Sequence, residues 1–282
     1  MIFTNHEDSS MSILKQRGLP FEVVNLGPEN NDWQQSLIRK HGIALWIDDR
    51  LDTVLDHAGQ VKSCGIPLVT FDDRGSGAVL ADLNVAALSF DETELLHGRR
   101  VRRGARYLVL NPEIAVYKRI RTSQNSIVVS MGGSDTYGVT IKVMKLLKSA
   151  RRDATVIIGP AFQHVKELEE VMDDGFIVKR AVPSLMEEFS HHDLAITGGG
   201  ITPFEANAAG LPCVVIANED FEIQVGLGIA RLGGAMFAGH HTAIQARLLS
   251  EPLPIEVMST SALQQIDLNG AARVVDEIEA LI

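Results

Sequence analysis

The chain has 282 residues, of which 45% are hydrophobic and 22% are charged. These proportions are those of a globular protein and exclude an intrinsically disordered one. The formal net charge of -10 argues against a nucleic-acid partner, because an acidic surface repels a phosphate backbone. The length suits two domains of ordinary size.

Three further features restrict the class of protein. No run of 18 apolar residues occurs, and the first residues, Met1–Thr4, lack the basic and apolar regions of a signal peptide. Cys64 and Cys213 lie far apart and outside any Cys-x-x-Cys pair, as expected in a reducing compartment. We therefore expect no membrane insertion, no bound metal and a cytoplasmic location.

In the first half of the chain, short apolar runs alternate with helical patterns such as Asp32–His41 and Thr53–Cys64. This alternation predicts a parallel sheet covered on both faces. The basic run Arg99–Arg103 is interpreted as a solvated loop, although contact with a phosphate or a partner is an alternative. The predicted strands are Ile2–Thr4, Phe21–Leu26, Ala44–Ile47, Pro67–Phe71, Val85–Ser89 and Tyr107–Leu110.

A polar, helix-like stretch, Pro112–Arg119, separates the two halves, and we place a domain boundary here. The predicted domains are residues 1–116 and 117–282. The second domain has about six strands and intervening helices, a complete doubly wound unit. Its predicted strands are Ile127–Ser130, Thr155–Ile158, Phe176–Lys179, Leu194–Thr197, Pro212–Ile216 and Ala235–Phe237, and its predicted helices are Val139–Ser149, His164–Met172, Ser184–Ser190, Thr202–Ala209, Gln224–Leu232 and Gly270–Leu281.

Two glycine turns of this domain each join a strand to a helix. The first contains Gly132, Gly133 and Ser134, and the serine is expected to cap the next helix or to donate to a phosphate. A simple tight turn explains these residues equally well. The second contains Gly198, Gly199 and Gly200, and three glycines in succession indicate close approach of another group to the backbone.

The residues after the second turn predict a helix start. Thr202 is the expected N-cap and Pro203 suits the first helical position. Glu205 follows in the first turn, where a carboxylate either favours the helix dipole or accepts ribose hydroxyls.

Both turns follow strands of one sheet, at the edge where open α/β sheets bind ligands. They match neither the Walker A motif nor the Gly-x-Gly-x-x-Gly fingerprint, so kinase and NAD chemistry are disfavoured and no cofactor is expected.

These residues resemble those of MurG-like nucleotide-sugar proteins. The resemblance is carried by Ser130–Asp135, Gly198–Ala206 and Gly210–Pro212, together with Asp267–Val274 and weaker matches at Thr70–Asp73 and Arg106–Glu113. Within that group the chain is most similar to the UDP-sugar hydrolases of pseudaminic acid synthesis and to the SpsG spore-coat polysaccharide proteins.

The resemblance implies a glycosyltransferase-B fold of two Rossmann-like doubly wound domains that face a cleft. It also implies UDP or a UDP-sugar as the partner, with Glu205 on the ribose hydroxyls. The other residues that it implies are Gly199, Gly200, Ile201 and Thr202 on the diphosphate, Gly132, Gly133 and Ser134 facing it, Arg180, Ala181 and Val182 on the uracil, and Gln224 as a displaced sugar or diphosphate contact.

The chain departs from this family at its beginning. Relatives open with a strand and a loop ending in Gly-His, whose histidine is the expected base, whereas Ile2–Thr4 matches their second strand. We therefore expect the N-terminal domain to be incomplete or remodelled, or completed by a partner chain, unless the reading frame starts upstream. His6 is the best replacement base by position.

Two function hypotheses remain open from the sequence. One is an enzyme of polysaccharide or nonulosonic acid synthesis that hydrolyses or transfers the sugar of a UDP-sugar. The other is a catalytically inactive protein or subunit that retains the nucleotide site. The acidic segment 218–224, where relatives carry an Asn-Gln pair, indicates altered sugar specificity or weakened binding.

Overall fold

The computed structural model describes residues 1–4, 8–24, 32–180 and 182–282, and these residues form two compact units. Unit 1 comprises residues 1–86, 95–102 and 277–282, and unit 2 comprises residues 87–94 and 103–276. The domain boundary at residues 116 and 117 stays a prediction. His6 and Ala181 lie outside the described residues.

Unit 1 contains two groups of strands. One is a parallel pair, β1 and β2, and the other is a sheet of order β3-β4-β5-β6. A small core of buried apolar residues, including Trp33, Trp46 and Leu68, lies among them. The elements are β1 (Ile2–Thr4), α1 (Asp8–Gln16), β2 (Phe21–Val23), α2 (Trp33–His41), β3 (Trp46–Asp48), α3 (Leu55–Ser63), β4 (Leu68–Phe71), β5 (Leu83–Ala86) and β6 (Val101–Arg103).

Unit 2 is a six-stranded parallel sheet with an apolar core on each face. Its strands are β7 (Ile127–Ser130), β8 (Ala154–Ile158), β9 (Phe176–Arg180), β10 (Leu194–Thr197), β11 (Cys213–Ala217) and β12 (Ala235–His240). Its helices are α4 (Val139–Ser149), α5 (Val165–Val171), α6 (Leu185–Ser190), α7 (Thr202–Ala208), α8 (Asp220–Arg231), α9 (Arg247–Ser250) and α10 (Ile255–Gln265), followed by α11 (Gly270–Glu279).

The strand order of unit 2 is β12-β11-β10-β7-β8-β9, which confirms the predicted doubly wound arrangement. The chain leaves β7 toward β8 and β9, then returns to place β10 on the other side of β7. The order therefore reverses between β7 and β10. In doubly wound sheets the crevice for a ligand opens at this point, beyond the carboxyl ends of the two strands.

Two predictions about residues 99–110 are wrong. Tyr107–Leu110 was expected to be a strand because apolar residues alternate there, but Ala105–Tyr107 forms a single 3-10 turn. The alternation arises because Leu108 and Leu110 pack into the unit 2 core while Val109 is exposed. The basic run was expected to be a solvated loop, but Val101–Arg103 forms the edge strand β6, a position where charged residues are common.

A buried arginine fastens several chain segments of unit 2. Arg121 is fully buried, and its guanidinium donates to the carbonyl oxygens of Arg119, Phe189, His192 and Ala209. Phe189 and Ala209 lie at the carboxyl ends of α6 and α7, where helix carbonyls lack partners in the helix. Burial lowers the pKa of Arg121 to about 10. The guanidinium thus gives these carbonyl oxygens additional hydrogen bonds and joins the ends of α6 and α7 to the segment 119–121.

No helix in the described ranges is both long enough and apolar enough to cross a membrane.

Candidate functional site

The two glycine turns lie side by side at the carboxyl edge of the unit 2 sheet. β7 and β10 are neighbours, and their last residues, Ser130 and Thr197, are in register with each other. The turns that follow therefore start from adjacent positions, at the point where the strand order reverses. This is the arrangement that the sequence predicted for a ligand site.

The turn after β7 exposes the backbone of its two glycines. Gly132 has a φ of 92°, a conformation that favours glycine. A Cβ atom on Gly132 or Gly133 would meet no other atom within 4 Å, so open space lies next to both. The Gly133 carbonyl oxygen accepts from the Ala161 N–H at 3.0 Å, which fixes one side of the turn. The other side is free for a ligand.

Asp135, rather than Ser134, caps the helix after this turn. Its buried carboxylate accepts the N–H groups of Val139 at 2.7 Å and Thr140 at 2.9 Å, at the start of α4. The prediction of Ser134 as the cap is wrong, because the helix begins at Val139 and only the Asp135 side chain reaches its first N–H groups. Ser134 is exposed, with its Oγ 3.2 Å from Thr136 Oγ1. It stays a predicted phosphate contact.

The turn after β10 divides its N–H groups between two directions. The Gly199 N–H donates to the Glu222 carboxylate at 3.2 Å, so it does not face the crevice, contrary to the prediction. A Cβ on Gly200 would meet open space. Within the described part of the chain, the N–H groups of Gly200, Ile201 and Thr202 donate to no protein acceptor. These three donors remain for a ligand.

The helix after this turn begins at Thr202, where the predicted range Thr202–Ala209 begins. The predicted N-cap is wrong, because Ile201 rather than Thr202 is the N-cap, and Pro203 therefore occupies the second helical position rather than the first. A proline there costs no hydrogen bond, because the first N–H groups of a helix lack internal partners.

Glu205 lies in the first turn of α7, and no described residue donates a hydrogen bond to its carboxylate. The side chain is half-buried, and burial raises the pKa of its carboxyl group above the ordinary value of 4.5. Two hydroxyl donors from a ligand would satisfy this carboxylate.

The half-buried carboxylate of Glu205 predicts how the stability of the chain depends on pH. Because the pKa of Glu205 is higher in the folded state than in the unfolded state, ionisation favours unfolding, and stability falls as pH rises above 4.5. We expect Glu205→Gln to gain stability relative to the unsubstituted chain between pH 4 and pH 7, measured by urea denaturation. The exposed Glu169→Gln on α5 is the control, and an equal pH trend in both variants would contradict the prediction.

A second prediction concerns the packing beneath the β7 turn. A Cβ on Gly159 would lie 2.3 Å from the Gly133 carbonyl oxygen and 2.5 Å from that of Gly132. Gly159→Ala must therefore displace the turn, and we expect a loss of about 1–3 kcal/mol in the free energy of unfolding. Gly59→Ala is the matched control, since open space surrounds Gly59 within α3. A thermal melt that shows no difference between the two variants would refute this account.

Among the described residues, no hydrogen bond joins Arg180, Val182 or Gln224 to the glycine turns. Gln224 is exposed on α8 and lines a groove of about 700 Å³ with Phe90 and Arg231, which no residue of the turns lines. Arg180 ends β9, which lies two strands from β7, and Val182 packs against the unit 2 core. Their contacts with a ligand stay predictions.

Reasoning from the sequence missed two carboxylates that shape the site. Asp135 stands next to Ser134, and its role as a cap could have been found from the preference of aspartate for helix starts. Glu222 lies 23 residues from Gly199, and no local pattern announces the bond between them.

Strand-end carboxylates of unit 1 mainly hold the backbone. Asp73 Oδ1 accepts the N–H groups of Thr53 at 3.0 Å and Gly75 at 2.8 Å, and Asp48 Oδ1 accepts Trp46 Nε1–H at 3.0 Å. Burial raises the pKa of the Asp48 carboxyl group. The described residues contain no group of three or more histidine, cysteine or acidic side chains that could hold a metal.

No protein-family model matches the chain. Among curated proteins it is 27% identical over 246 residues to the uncharacterized protein MJ1062 of Methanocaldococcus jannaschii, covering 79% of this chain and 49% of the relative. It is 24% identical over 160 residues to the spore coat polysaccharide biosynthesis protein SpsG of Bacillus subtilis, covering 50% of this chain and 44% of the relative. The chain spans about half the length of these relatives.

Solved structures resemble the whole chain. MurG of Acinetobacter baumannii superimposes with a TM-score of 0.69 at 15% identity, covering 99% of this chain and 90% of MurG. HepE of Anabaena, in complex with UDP, superimposes with a TM-score of 0.67 at 13% identity, covering 99% of this chain and 92% of HepE. The chain therefore has the α/β glycosyltransferase-B fold of MurG, built on parallel sheets.

Proposed function

We propose that this chain binds a UDP-sugar at the carboxyl edge of the unit 2 sheet. The observation that carries the proposal is the pair of glycine turns in adjacent positions where the strand order reverses. One turn offers the unpaired N–H groups of Gly200, Ile201 and Thr202, and the other exposes Gly132 and Gly133. Backbone N–H groups in such a concavity bind the oxygens of a phosphate.

The proposal places the ribose on Glu205. Its half-buried carboxylate follows the N–H donors on α7 and has no donor of its own in the described residues. Acidic side chains accept ribose hydroxyls in dinucleotide-binding folds, and we assign this role to Glu205. We place Ser134 on the diphosphate, and Arg180, Ala181 and Val182 near the base.

The relatives support the choice of ligand and of process. HepE binds UDP in its crystal structure, and the name of SpsG places it in polysaccharide biosynthesis. We infer that this chain acts in the synthesis of a polysaccharide or nonulosonic acid, as a UDP-sugar hydrolase or a glycosyltransferase-like enzyme. The cytoplasm is the proposed location. His6 stays the candidate base.

Calorimetry with UDP, UDP-N-acetylglucosamine and uridine tests the binding site. We expect UDP to bind at least about tenfold more tightly than uridine, because each hydrogen bond to a charged phosphate contributes about 1.5–3 kcal/mol. Equal affinity for UDP and uridine, or no binding of either, contradicts the proposal. Analysis of sugar products separates an enzyme from a binding protein, since a binding protein retains affinity without turnover.

A further inference from the structure

A buried carboxylate on α8 links the glycine turn after β10 to the segment after β11. Glu222 is 9% exposed, and its Oε2 accepts the Gly199 N–H at 3.2 Å and the Asn218 N–H at 2.7 Å. The turn also contacts α8 directly, because a Cβ on Gly199 would lie 2.6 Å from the Glu222 Cβ. Gly199 is therefore fixed by contact and by a charge-assisted hydrogen bond.

Only half of this arrangement is an ordinary helix cap. Glu222 is the third residue of α8, where glutamate commonly accepts an N–H from just before the helix, and its bond to Asn218 has this character. The bond to Gly199 joins residues that are 23 positions apart. A local cap does not require it, so this bond belongs to the glycine turn.

The bond decides which N–H groups of the turn remain available. It turns the Gly199 N–H toward α8 and leaves the N–H groups of Gly200, Ile201 and Thr202 without a protein acceptor in the described ranges. A three-glycine segment has many conformations of similar energy, and an unrestrained turn would present these donors in many directions. Holding one of its N–H groups reduces that freedom.

Resting on the nucleotide site proposed above, we propose that Glu222 is its positioning residue. The carboxylate binds no ligand itself. It orients the three free N–H donors toward the diphosphate, so that less conformational entropy is lost when the phosphates bind.

A positioning role and a charge-repulsion role of Glu222 predict different UDP affinities for the variants Glu222→Gln and Glu222→Ala. Glu222→Gln removes the negative charge but keeps an oxygen that can accept from Gly199. If the acceptor matters, this variant binds UDP nearly as tightly as the unsubstituted chain and Glu222→Ala binds more weakly. If the carboxylate only repels the diphosphate, both variants bind UDP more tightly.

Calorimetry with UDP and uridine on Glu222→Ala, Glu222→Gln and the control Glu219→Gln tests the proposal. For Glu222→Ala we expect UDP affinity to fall about tenfold, because the backbone of the turn must then be ordered when the phosphates bind, at a cost of about 1–2 kcal/mol per residue, with uridine affinity unchanged. Glu222→Gln restores most of the affinity. Glu219→Gln removes a negative charge from the same segment but no bond to the glycine turn, so it should not weaken UDP binding, and any change should be tighter binding through lower charge repulsion. A parallel loss of UDP and uridine affinity overturns the proposal.

Amide hydrogen exchange at Gly199, followed by NMR without nucleotide, separates this inference from the proposed function. We expect faster exchange of the Gly199 amide in Glu222→Ala than in the unsubstituted chain, and an equal rate overturns the positioning role. Failure of the unsubstituted chain to bind UDP refutes the proposed function, and with it the role of Glu222 in nucleotide binding. If the alanine variant does not fold, Glu222→Met takes its place, because methionine has a similar length but carries no carboxylate to accept the Gly199 N–H.

Discussion

Glu205→Ala should weaken UDP binding about 100-fold, because two hydroxyl–carboxylate hydrogen bonds of about 1.5 kcal/mol or more each are lost. The substitution also removes a carboxylate whose burial is unfavourable, so the folded chain should be no less stable at pH 7. Loss of binding with retained stability would therefore identify a ligand contact. Calorimetry measures the affinity, and a thermal melt at pH 7 measures the stability.

A ligand without the hydroxyls is the matched control for Glu205. UDP that lacks both ribose hydroxyls should bind the unsubstituted chain and Glu205→Ala with the same affinity, because the partners of the carboxylate are then absent from both complexes. If the variant instead loses affinity equally for UDP and for the analogue, Glu205 does not contact the ribose. Its raised pKa would then reflect burial in α7 alone.

Arg121→Met should lower the free energy of unfolding by at least about 3 kcal/mol, because it removes the hydrogen bonds from a buried, charged guanidinium to four carbonyl oxygens, and each bond to a charged group contributes about 1.5–3 kcal/mol. Methionine fills part of the same volume but carries no donor for the carbonyls at the ends of α6 and α7. Urea denaturation at neutral pH measures the loss.

Arg119→Met provides the comparison for Arg121. The Arg119 side chain is 43% exposed and donates to the carbonyl oxygens of Ser190 and His192, and the His192 oxygen also accepts from Arg121. Because water can replace an exposed donor, we expect a loss of about 1 kcal/mol or less. Equal losses in the two variants would show that burial of the Arg121 guanidinium is not the cause.

The strands that carry the glycine turns could be predicted residue by residue from the sequence. Ile127–Ser130 and Leu194–Thr197 have the predicted bounds, because each is an uninterrupted apolar run that ends at a glycine turn. The start of α8 was predicted at Gln224, four residues after its true start at Asp220. The predicted helix left out the acidic residues before Gln224, although acidic side chains at a helix start are favoured by its dipole.

The direction of individual N–H groups could not be predicted. The glycines of the β10 turn indicated close approach to the backbone, and at Gly199 the approaching group is the Glu222 side chain of the same chain. A glycine pattern reports that space is needed but not what fills it. Such a bond depends on how α8, which packs on β11 and β12, lies relative to the turn after β10, and only the folded sheet determines this.

The neighbouring placement of β7 and β10 has a consequence for how the chain acquires its binding capacity during folding. The residues that meet across this pair, Ser130 and Thr197, are far apart in sequence, with β8 and β9 formed between them. Such non-local pairing is slow, since a long loop must close before its contacts stabilise it. A nascent or truncated chain that stops before β10 would hold only one of the two glycine turns that form the proposed site. Binding of UDP should therefore show that unit 2 has folded completely. UDP should lower the unfolding rate of unit 2 and leave the early steps of its folding unchanged.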